Sequence, residues 1–245
     1  PRLASLPERA CFTAGHANNN SLNMSRLVRS FCLLLTLCQL AIAQGGLVPL
    51  EGKLLSDEKV VVLKERFKES RAQIVGLTCK MRQAVSSPSR DEPVVAEADV
   101  FYLAPDDLLI DYEDEAFVLM QRTRFTQLEP GDDEVETKPL DPDHPTMETM
   151  LRELFTGRID ELQGSYDERI EQLPDGYRVV LELKPGEDPH MPAAILVEME
   201  ADSLDVRSVA LRFPRGFGMS FDFFDYDKTA VPEVTFFETF LARYE

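Results

Sequence analysis

The residues that could carry out chemistry in this sequence are few and poorly spaced for it. His144 and His190 each lie in a proline-flanked segment, without a Cys, Asp or Glu at the spacing that a metal-ligand pair requires. The carboxylates of residues 132–143 lack the regular spacing and the glycine of a calcium loop. Cys79 lies in an alternating apolar segment, where a buried thiol is expected rather than a nucleophile. Because phosphate-binding, dinucleotide-binding and Gly-x-Ser-x-Gly motifs are also absent, we expect no enzyme, no cofactor and no metal site.

The elements that position these residues are predicted to be mostly strands. Residues 97–120 indicate three successive strands, because apolar side chains alternate on either side of two short turns, one at Pro105 and one at Glu113. Residues 129–145 contain four prolines and seven acidic residues, which predicts a long loop. The alternation predicts further strands at 77–85, 166–173, 177–184, 195–200, 206–213 and 218–226. Together these segments favour one antiparallel sheet of eight or more strands, with helices laid against it.

Two helices are predicted. The first begins after Ser56 and runs to about Gln73, with Leu55, Val62, Leu63, Phe67 and Ile74 near one stripe. The second spans Met147 to Thr156, and its apolar side is formed by Met147, Met150, Leu151, Leu154 and Phe155. Methionines suit a surface that fits varied apolar partners, although ordinary core packing explains them equally well.

The N-terminal part of the sequence has the order of a secretory signal. Met24 precedes Arg26 and Arg29, an apolar run follows, and small residues end at Ala43, where cleavage is expected. An uncleaved membrane anchor is the alternative interpretation. We therefore expect residues 1–23 to be a non-structural upstream segment, residues 24–43 a signal peptide and residues 44–245 a single domain.

Charge and cysteine content narrow the classes of function. The net charge of −18 disfavours binding to nucleic acid or to an anionic membrane. Cys79 is the only cysteine beyond the expected cleavage point, so no intramolecular disulfide is expected. The fold must then be held by its apolar core. The aromatic side chains of the strands need a covering partner, and either a dry core or a ligand cavity in a half-closed sheet would supply it.

The order of these elements resembles the family of the periplasmic outer-membrane lipoprotein carrier protein LolA, from about Asp57 to Phe240. The segments that carry the resemblance are LTCKMRQAV (77–85), EADVFYLAPDDLLIDY (97–112), MLRELFTG (150–157), GYRVVLELKP (176–185) and FDFFDYDKTAVPEVTFF (221–237). The resemblance implies a mainly β fold, an incomplete antiparallel β-barrel closed over by short helices. It also implies a periplasmic, non-enzymatic carrier of lipoprotein acyl chains, served by an inner-membrane lipoprotein-releasing transporter and an outer-membrane acceptor. We expect a monomer.

The resemblance further implies a site for acyl chains, which need an apolar groove because each exposed methylene costs about 0.8 kcal/mol. The cavity wall would be formed by Phe101, Leu103, Ile110, Tyr112, Val179, Leu181, Met199, Leu211, Phe213, Phe221 and Phe223, and the lid by Met147, Met150, Leu151, Leu154 and Phe155. Which strand face points inward is open. An envelope stress-sensing or regulatory domain and a structural domain with a filled core are the alternatives. A solidly packed space between strands and lid would contradict the carrier.

Overall fold

The computed structural model describes Val48 and residues 51–113, 116–132, 134–140, 147–157, 164–188 and 191–244. The predicted upstream segment 1–23, the predicted signal peptide 24–43 with its cleavage point after Ala43, and both loop histidines lie outside the described residues.

Twelve strands of the described chain form one antiparallel sheet, in the order β1-β8-β9-β10-β11-β12-β2-β3-β4-β5-β6-β7. The strands are β1 (Lys53–Leu54), β2 (Gly76–Ser86), β3 (Val94–Leu103), β4 (Asp107–Tyr112), β5 (Phe117–Gln121), β6 (Arg124–Leu128), β7 (Glu136–Pro139), β8 (Tyr166–Gln172), β9 (Gly176–Leu183), β10 (Ala194–Glu200), β11 (Val206–Arg212) and β12 (Gly218–Asp227). The two terminal strands of this order, β1 and β7, do not pair with each other, so the sheet stays open.

In the described part of the chain, three α-helices accompany the sheet: α1 (Asp57–Ala72), α2 (Met147–Thr156) and α3 (Phe236–Leu241). Asp57 and Glu58 lie in the first turn of α1 and Arg71 in its last turn, which complements the helix dipole at both ends. Helix α2 ends at Gly157, whose φ of +80° favours glycine. None of the helices in the described part of the chain has the length and apolar composition needed to cross a membrane.

The predicted fold class is confirmed: the structure is an incomplete antiparallel barrel with covering helices. All of the strands predicted from alternation are present, and their bounds differ by a few residues. The predicted long loop 129–145 is wrong in part, because residues 136–139 pair with β6 as the edge strand β7. All four of these residues are exposed, so no apolar alternation marked them.

The two faces of the sheet differ in what covers them. One face, here called the inner face, carries a continuous cluster of buried apolar side chains from β2–β5 and β8–β12 and is covered by α1 and α2. In the described part of the chain, the opposite, outer face carries two separate buried apolar patches. The larger, here called the aromatic outer patch, lies beneath α3 and contains Leu103, Leu109, Phe117, Leu119, Leu128, Phe237 and Phe240.

The smaller outer patch is covered by an N-terminal strap, formed by Val48 and residues 51–54. The backbone N–H of Val48 donates to Glu182 Oε1 at 2.7 Å, and its carbonyl accepts from Arg169. The backbone N–H groups of residues 51 and 52 both donate to Glu171 Oε2, at 3.0 and 3.2 Å. Through these hydrogen bonds, side-chain carboxylates of β8 and β9 fix the strap to the sheet. Val48 also packs there against Val180, Ala194 and Leu196.

Candidate functional site

Helix α1 covers one half of the inner face. Leu63 and Phe67 lie four residues apart on its buried side and are 4% and 5% exposed. The predicted apolar stripe was wrong at one position, because Val62 is 60% exposed on the neighbouring side of the helix. Beneath the helix lie Ile170, Val179 and Met199 of β8, β9 and β10. Helix α1 therefore closes the inner face over these three strands.

Helix α2 covers the inner face where β3 and β12 supply aromatic rings. Leu151, Leu154 and Phe155 are all buried, at 2–3% exposure. The ring of Phe155 stacks on Tyr102 with centroids 6.1 Å apart and meets the edge of Phe223 at 5.4 Å. These three lid residues were predicted from the sequence to face the sheet, and they do so. The predicted lid residues Met147 and Met150 belong to the same helix, but their side chains lie outside the described part of the structure.

Nine of the eleven predicted wall residues lie on the inner face, either within its buried cluster or packed against it. They are Ile110, Tyr112, Val179, Leu181, Met199, Leu211, Phe213, Phe221 and Phe223. Phe101 and Leu103 are the exceptions, since they point to the outer face and join the aromatic outer patch. The prediction that these two residues form the wall is therefore wrong. Because side chains alternate along a strand with a period of two, Val100 and Tyr102 point inward instead.

The space between the sheet and α1 is almost filled by side chains. The pocket there has a volume of about 30 Å³. Its lining is apolar at Leu63, Phe67, Ile170, Val179 and Met199 and charged at Lys64, Lys68 and Glu168. Pockets that hold small ligands measure roughly 300–1,000 Å³. The interior is therefore packed in this region, and an acyl chain could enter only by displacing these side chains.

A second, larger depression lies beside α1 at the surface. This groove has a volume of about 400 Å³ and runs between α1 and the strands β8 and β9. Its lining is formed by Leu55, Glu58, Lys59, Val62, Leu63, Arg66, Gln172 and Tyr177. Sequence reasoning missed the groove, because it depends on how the helix is rotated against the strand ends.

A buried cation fixes the C-terminal end of α1. Arg71 is 3% exposed, donates from Nη2 to the carbonyl oxygen of Leu204, and pairs with Asp205 Oδ1 at 3.2 Å. Its guanidinium also lies 5.0 Å from the centre of the Phe67 ring. Its Nε and Nη1 atoms have no hydrogen-bond partner among the described residues. Gly157 allows α2 to end against this residue, since a Cβ there would lie 2.9 Å from Arg71 Cβ.

The inner face holds little that could catalyse a reaction. Burial raises the pKa of the Cys79 thiol to about 12, with Asp205 and Asp99 adding to the rise, so a thiolate nucleophile is not formed near neutral pH. Tyr226 is also buried, which raises its pKa, and its hydroxyl donates to the Val206 carbonyl at 2.6 Å. Among the residues that the structure describes, no group of three His, Cys, Asp or Glu could hold a metal ion. The chemistry that the inner face offers is the burial of apolar surface.

Solved structures similar to this chain include a LolA superfamily protein and two proteins whose names refer to lipoproteins. A LolA superfamily protein from Nitrosomonas europaea is 13% identical, with 72% of this chain and 96% of that one covered and a TM-score of 0.39. A putative outer membrane lipoprotein-sorting protein domain from Vibrio parahaemolyticus is 11% identical, with coverages of 76% and 99% and a TM-score of 0.41. The Mycobacterium tuberculosis lipoprotein LppX is 12% identical, with coverages of 72% and 99% and a TM-score of 0.37.

The structures to which the chain is similar thus include LolA superfamily proteins, as the order of its sequence elements predicted. No residue role is taken from them at these identities and TM-scores. No protein-family model matches the chain, and no curated protein matches it.

Proposed function

We propose that this protein is a non-enzymatic carrier that holds the acyl chains of lipoproteins or other lipids between its inner face and the helices α1 and α2. The observation that carries the proposal is the kind of cover on that face. Apolar side chains of nine strands form one continuous surface, and two helices close it. In the described part of the chain, no backbone hydrogen bond joins either helix to a strand. Side-chain contacts hold the cover, so it can open while the sheet stays intact.

The free energy gained by burying an acyl chain is similar to the free energy lost when the side chains of α2 leave the sheet. Burying an apolar side chain contributes about 1.5–3 kcal/mol, and burying a methylene group about 0.8 kcal/mol. The three buried side chains of α2 are therefore equivalent to an acyl chain of roughly six to eleven methylenes. An acyl chain of ordinary length can thus replace the contacts that α2 loses when it moves away from the sheet.

The proposal includes the compartment and the partners. Residues 24–43 would direct export to the periplasm, with cleavage after Ala43, and residues 44–245 would act as a monomeric single domain. An inner-membrane lipoprotein-releasing transporter would load the carrier, and an outer-membrane acceptor would unload it. The apolar surface that supports the carrier function is formed within residues 77–240. The net charge of −18 suits export of a soluble carrier.

The packed interior favours a second candidate function. A pocket of about 30 Å³ is what a domain with a permanently filled core would contain. Such a domain would act through its surface, as a structural or regulatory module, and would take up no acyl chain. The two candidates differ in one measurable property, which is whether an alkyl chain reaches the inner face.

A single introduced tryptophan can measure this, because the sequence contains none. Phe223 is 6% exposed on the inner face, and the adjacent Phe224 is 36% exposed on the outer face. Stearic acid carrying bromine atoms at mid-chain quenches tryptophan fluorescence on contact. We expect it to quench the fluorescence of Phe223→Trp but not of the matched variant Phe224→Trp, with circular dichroism confirming that both variants are folded.

Two outcomes would contradict the carrier. If neither variant is quenched at saturating fatty acid, the permanently packed domain is the correct interpretation. If both variants are quenched equally, the fatty acid binds the surface without selecting the inner face.

A further inference from the structure

The groove beside α1 combines apolar and cationic side chains in one row. Lys59, Val62, Leu63 and Arg66 follow the spacing i, i+3, i+4 and i+7, which places them along one side of the helix. The two cations lie about one turn on either side of Val62. Tyr177 and Gln172 of the strand ends form the opposite wall. An apolar strip flanked by positive charge is the pattern that an anionic amphiphile requires.

The charges of the groove contrast with those of the whole chain. The protein carries a net charge of −18, yet the charged lining residues are Lys59, Arg66 and one carboxylate, Glu58. Neither of these cations forms an ion pair with another residue that the structure describes. The next cation on the helix, Lys64, differs, since it pairs with Glu168 at 2.7 Å. Lys59 and Arg66 are therefore available to an anionic ligand.

The groove also adjoins the interior. Leu63 lines both the surface groove and the small pocket beneath α1, so the two spaces adjoin at this side chain. Beyond it the lining combines the apolar side chains of Phe67, Ile170, Val179 and Met199 with the charged side chains of Lys64, Lys68 and Glu168. An alkyl chain lying over Val62 would thus be directed toward the inner face.

We propose that the groove binds a single-chain amphiphile with an anionic head, a carboxylate or a phosphate, by placing the head at Lys59 and Arg66 and the chain over Val62 toward Leu63. The inference rests on the proposed function, because it names the class of acyl ligand and its point of entry to the inner face. The chemistry of the head group follows from charge complementarity with two cations that have no ion-pair partner in the described part of the chain.

The first arm of the experiment uses two neighbouring valines. Val61 and Val62 are 61% and 60% exposed on the same helix, so replacement by aspartate changes folding and net charge equally at both positions. Of the two, only Val62 lines the groove. We expect Val62→Asp to raise the Kd for sodium laurate roughly tenfold, which equals about 1.4 kcal/mol. The matched control Val61→Asp should change it by less than about twofold. An equal rise in both variants would overturn the proposal.

The second arm separates the head group from the chain. We expect Lys59→Ala/Arg66→Ala to raise the laurate Kd roughly tenfold, about 0.7 kcal/mol for each charged contact. Binding of monolauroylglycerol, which has the same chain and no charge, should be unchanged. The control Lys80→Ala/Arg82→Ala removes two cations from the outer face, where they pair with Asp99 and Glu97. It should leave both affinities unchanged.

The outcomes distinguish the inference from the function on which it rests. If the wild-type chain binds both ligands and the groove variants bind them as well as the controls do, the groove assignment is wrong and the carrier stands. If the wild-type chain binds neither laurate nor monolauroylglycerol, both the groove assignment and the carrier are wrong.

Discussion

The inner and outer faces of the sheet are covered in different ways. On the inner face, buried apolar side chains extend across nine strands without interruption, and two helices lie over them. The centre of the outer face instead carries exposed charge pairs, such as Lys80 with Asp99 at 2.9 Å and Arg82 with Glu97 at 3.0 Å. In the described part of the chain, buried apolar clusters of this face lie beneath α3 and beneath the N-terminal strap. The buried apolar patches of the outer face are matched in extent to α3 and the N-terminal strap. The inner face has one continuous apolar surface, which a ligand could share with α1 and α2.

The aromatic outer patch shows what a permanent cover consists of. Phe117 meets the edge of Phe240 at 5.1 Å and lies 4.9 Å from the Tyr244 ring, while Phe101 lies 4.8 Å from Phe236. Aromatic pairs of this kind contribute beyond the area that they bury. On the inner face, α2 instead brings one ring, Phe155, and two leucines. The comparison predicts that the aromatic outer patch governs stability and the inner face governs binding.

The largest expected effect tests the outer half of that comparison. Phe117 is fully buried, so Phe117→Ala should lower the free energy of unfolding by about 3–5 kcal/mol, as measured by urea denaturation. Phe236→Ala, at a half-buried ring of the same patch, should lower it clearly less. The laurate affinity of the folded fraction should not change in either variant. Loss of laurate binding by a folded Phe117→Ala protein would break the comparison.

A second variant addresses the inner face. Leu154 is 3% exposed, and Leu154→Asp places a carboxylate where only apolar side chains surround it. We expect α2 to detach, uptake of a fluorescent fatty acid to be lost, and the far-ultraviolet circular dichroism of the sheet to persist. Leu154→Met is the matched control, because it conserves volume and apolarity and should retain uptake. Unchanged uptake by Leu154→Asp would exclude α2 as the lid.

The smallest expected effect concerns the strap on the outer face. Burial, the largest single influence, raises the pKa of Glu171, but hydrogen bonds from the amides of Glu51 and Gly52 and from Arg169 outweigh it, so the pKa lies below the ordinary 4.5. Because the pKa is depressed in the folded state, the stabilisation is present above about pH 4.5 and is lost as the pH falls through the folded-state value.

Unfolding curves of the wild-type chain and of Glu171→Gln over this range measure the effect. The variant should be less stable than the wild-type chain at neutral pH, and the difference should shrink in acid. A difference that stays constant down to pH 3 or so would contradict the assignment of Glu171 as an ionised anchor of the strap.

Most of the fold could be predicted because its strands have a simple period. In β9, for example, Val179 and Leu181 are buried on the inner face, as the alternation of the strand indicated from Arg178 and Glu182 on its other side. Val180 lies between them and is buried on the outer face. The same period could not decide between Phe101 and Val100, since both positions of β3 are apolar. Which of the two residues faces inward is decided by the elements that cover each face of the sheet. The cover of the outer face is α3, which begins 135 residues after Phe101 in a segment without helical periodicity.

The site was less predictable for a related reason. Val62 and Leu63 are both aliphatic, and sequence spacing placed both on the buried stripe of α1. The rotation of the helix is set by side chains that hold it in place, chiefly Arg71 with Leu204 and Asp205. An arginine at the end of a charged helix gives no signal of burial. The groove and its two cations follow from that rotation.

The N-terminal strap has a consequence for the order in which the protein folds. Val48 and Glu182 are 134 residues apart in sequence, and Glu51 and Glu171 are 120 apart. Contacts of such separation form slowly, because the intervening chain must first be confined. The strap is made before its binding surface exists, and it can dock only after β8 and β9 have paired. Its docking would thus follow the pairing of β8 with β9, and protection of the Gly52 amide from hydrogen exchange would report when the docking is complete.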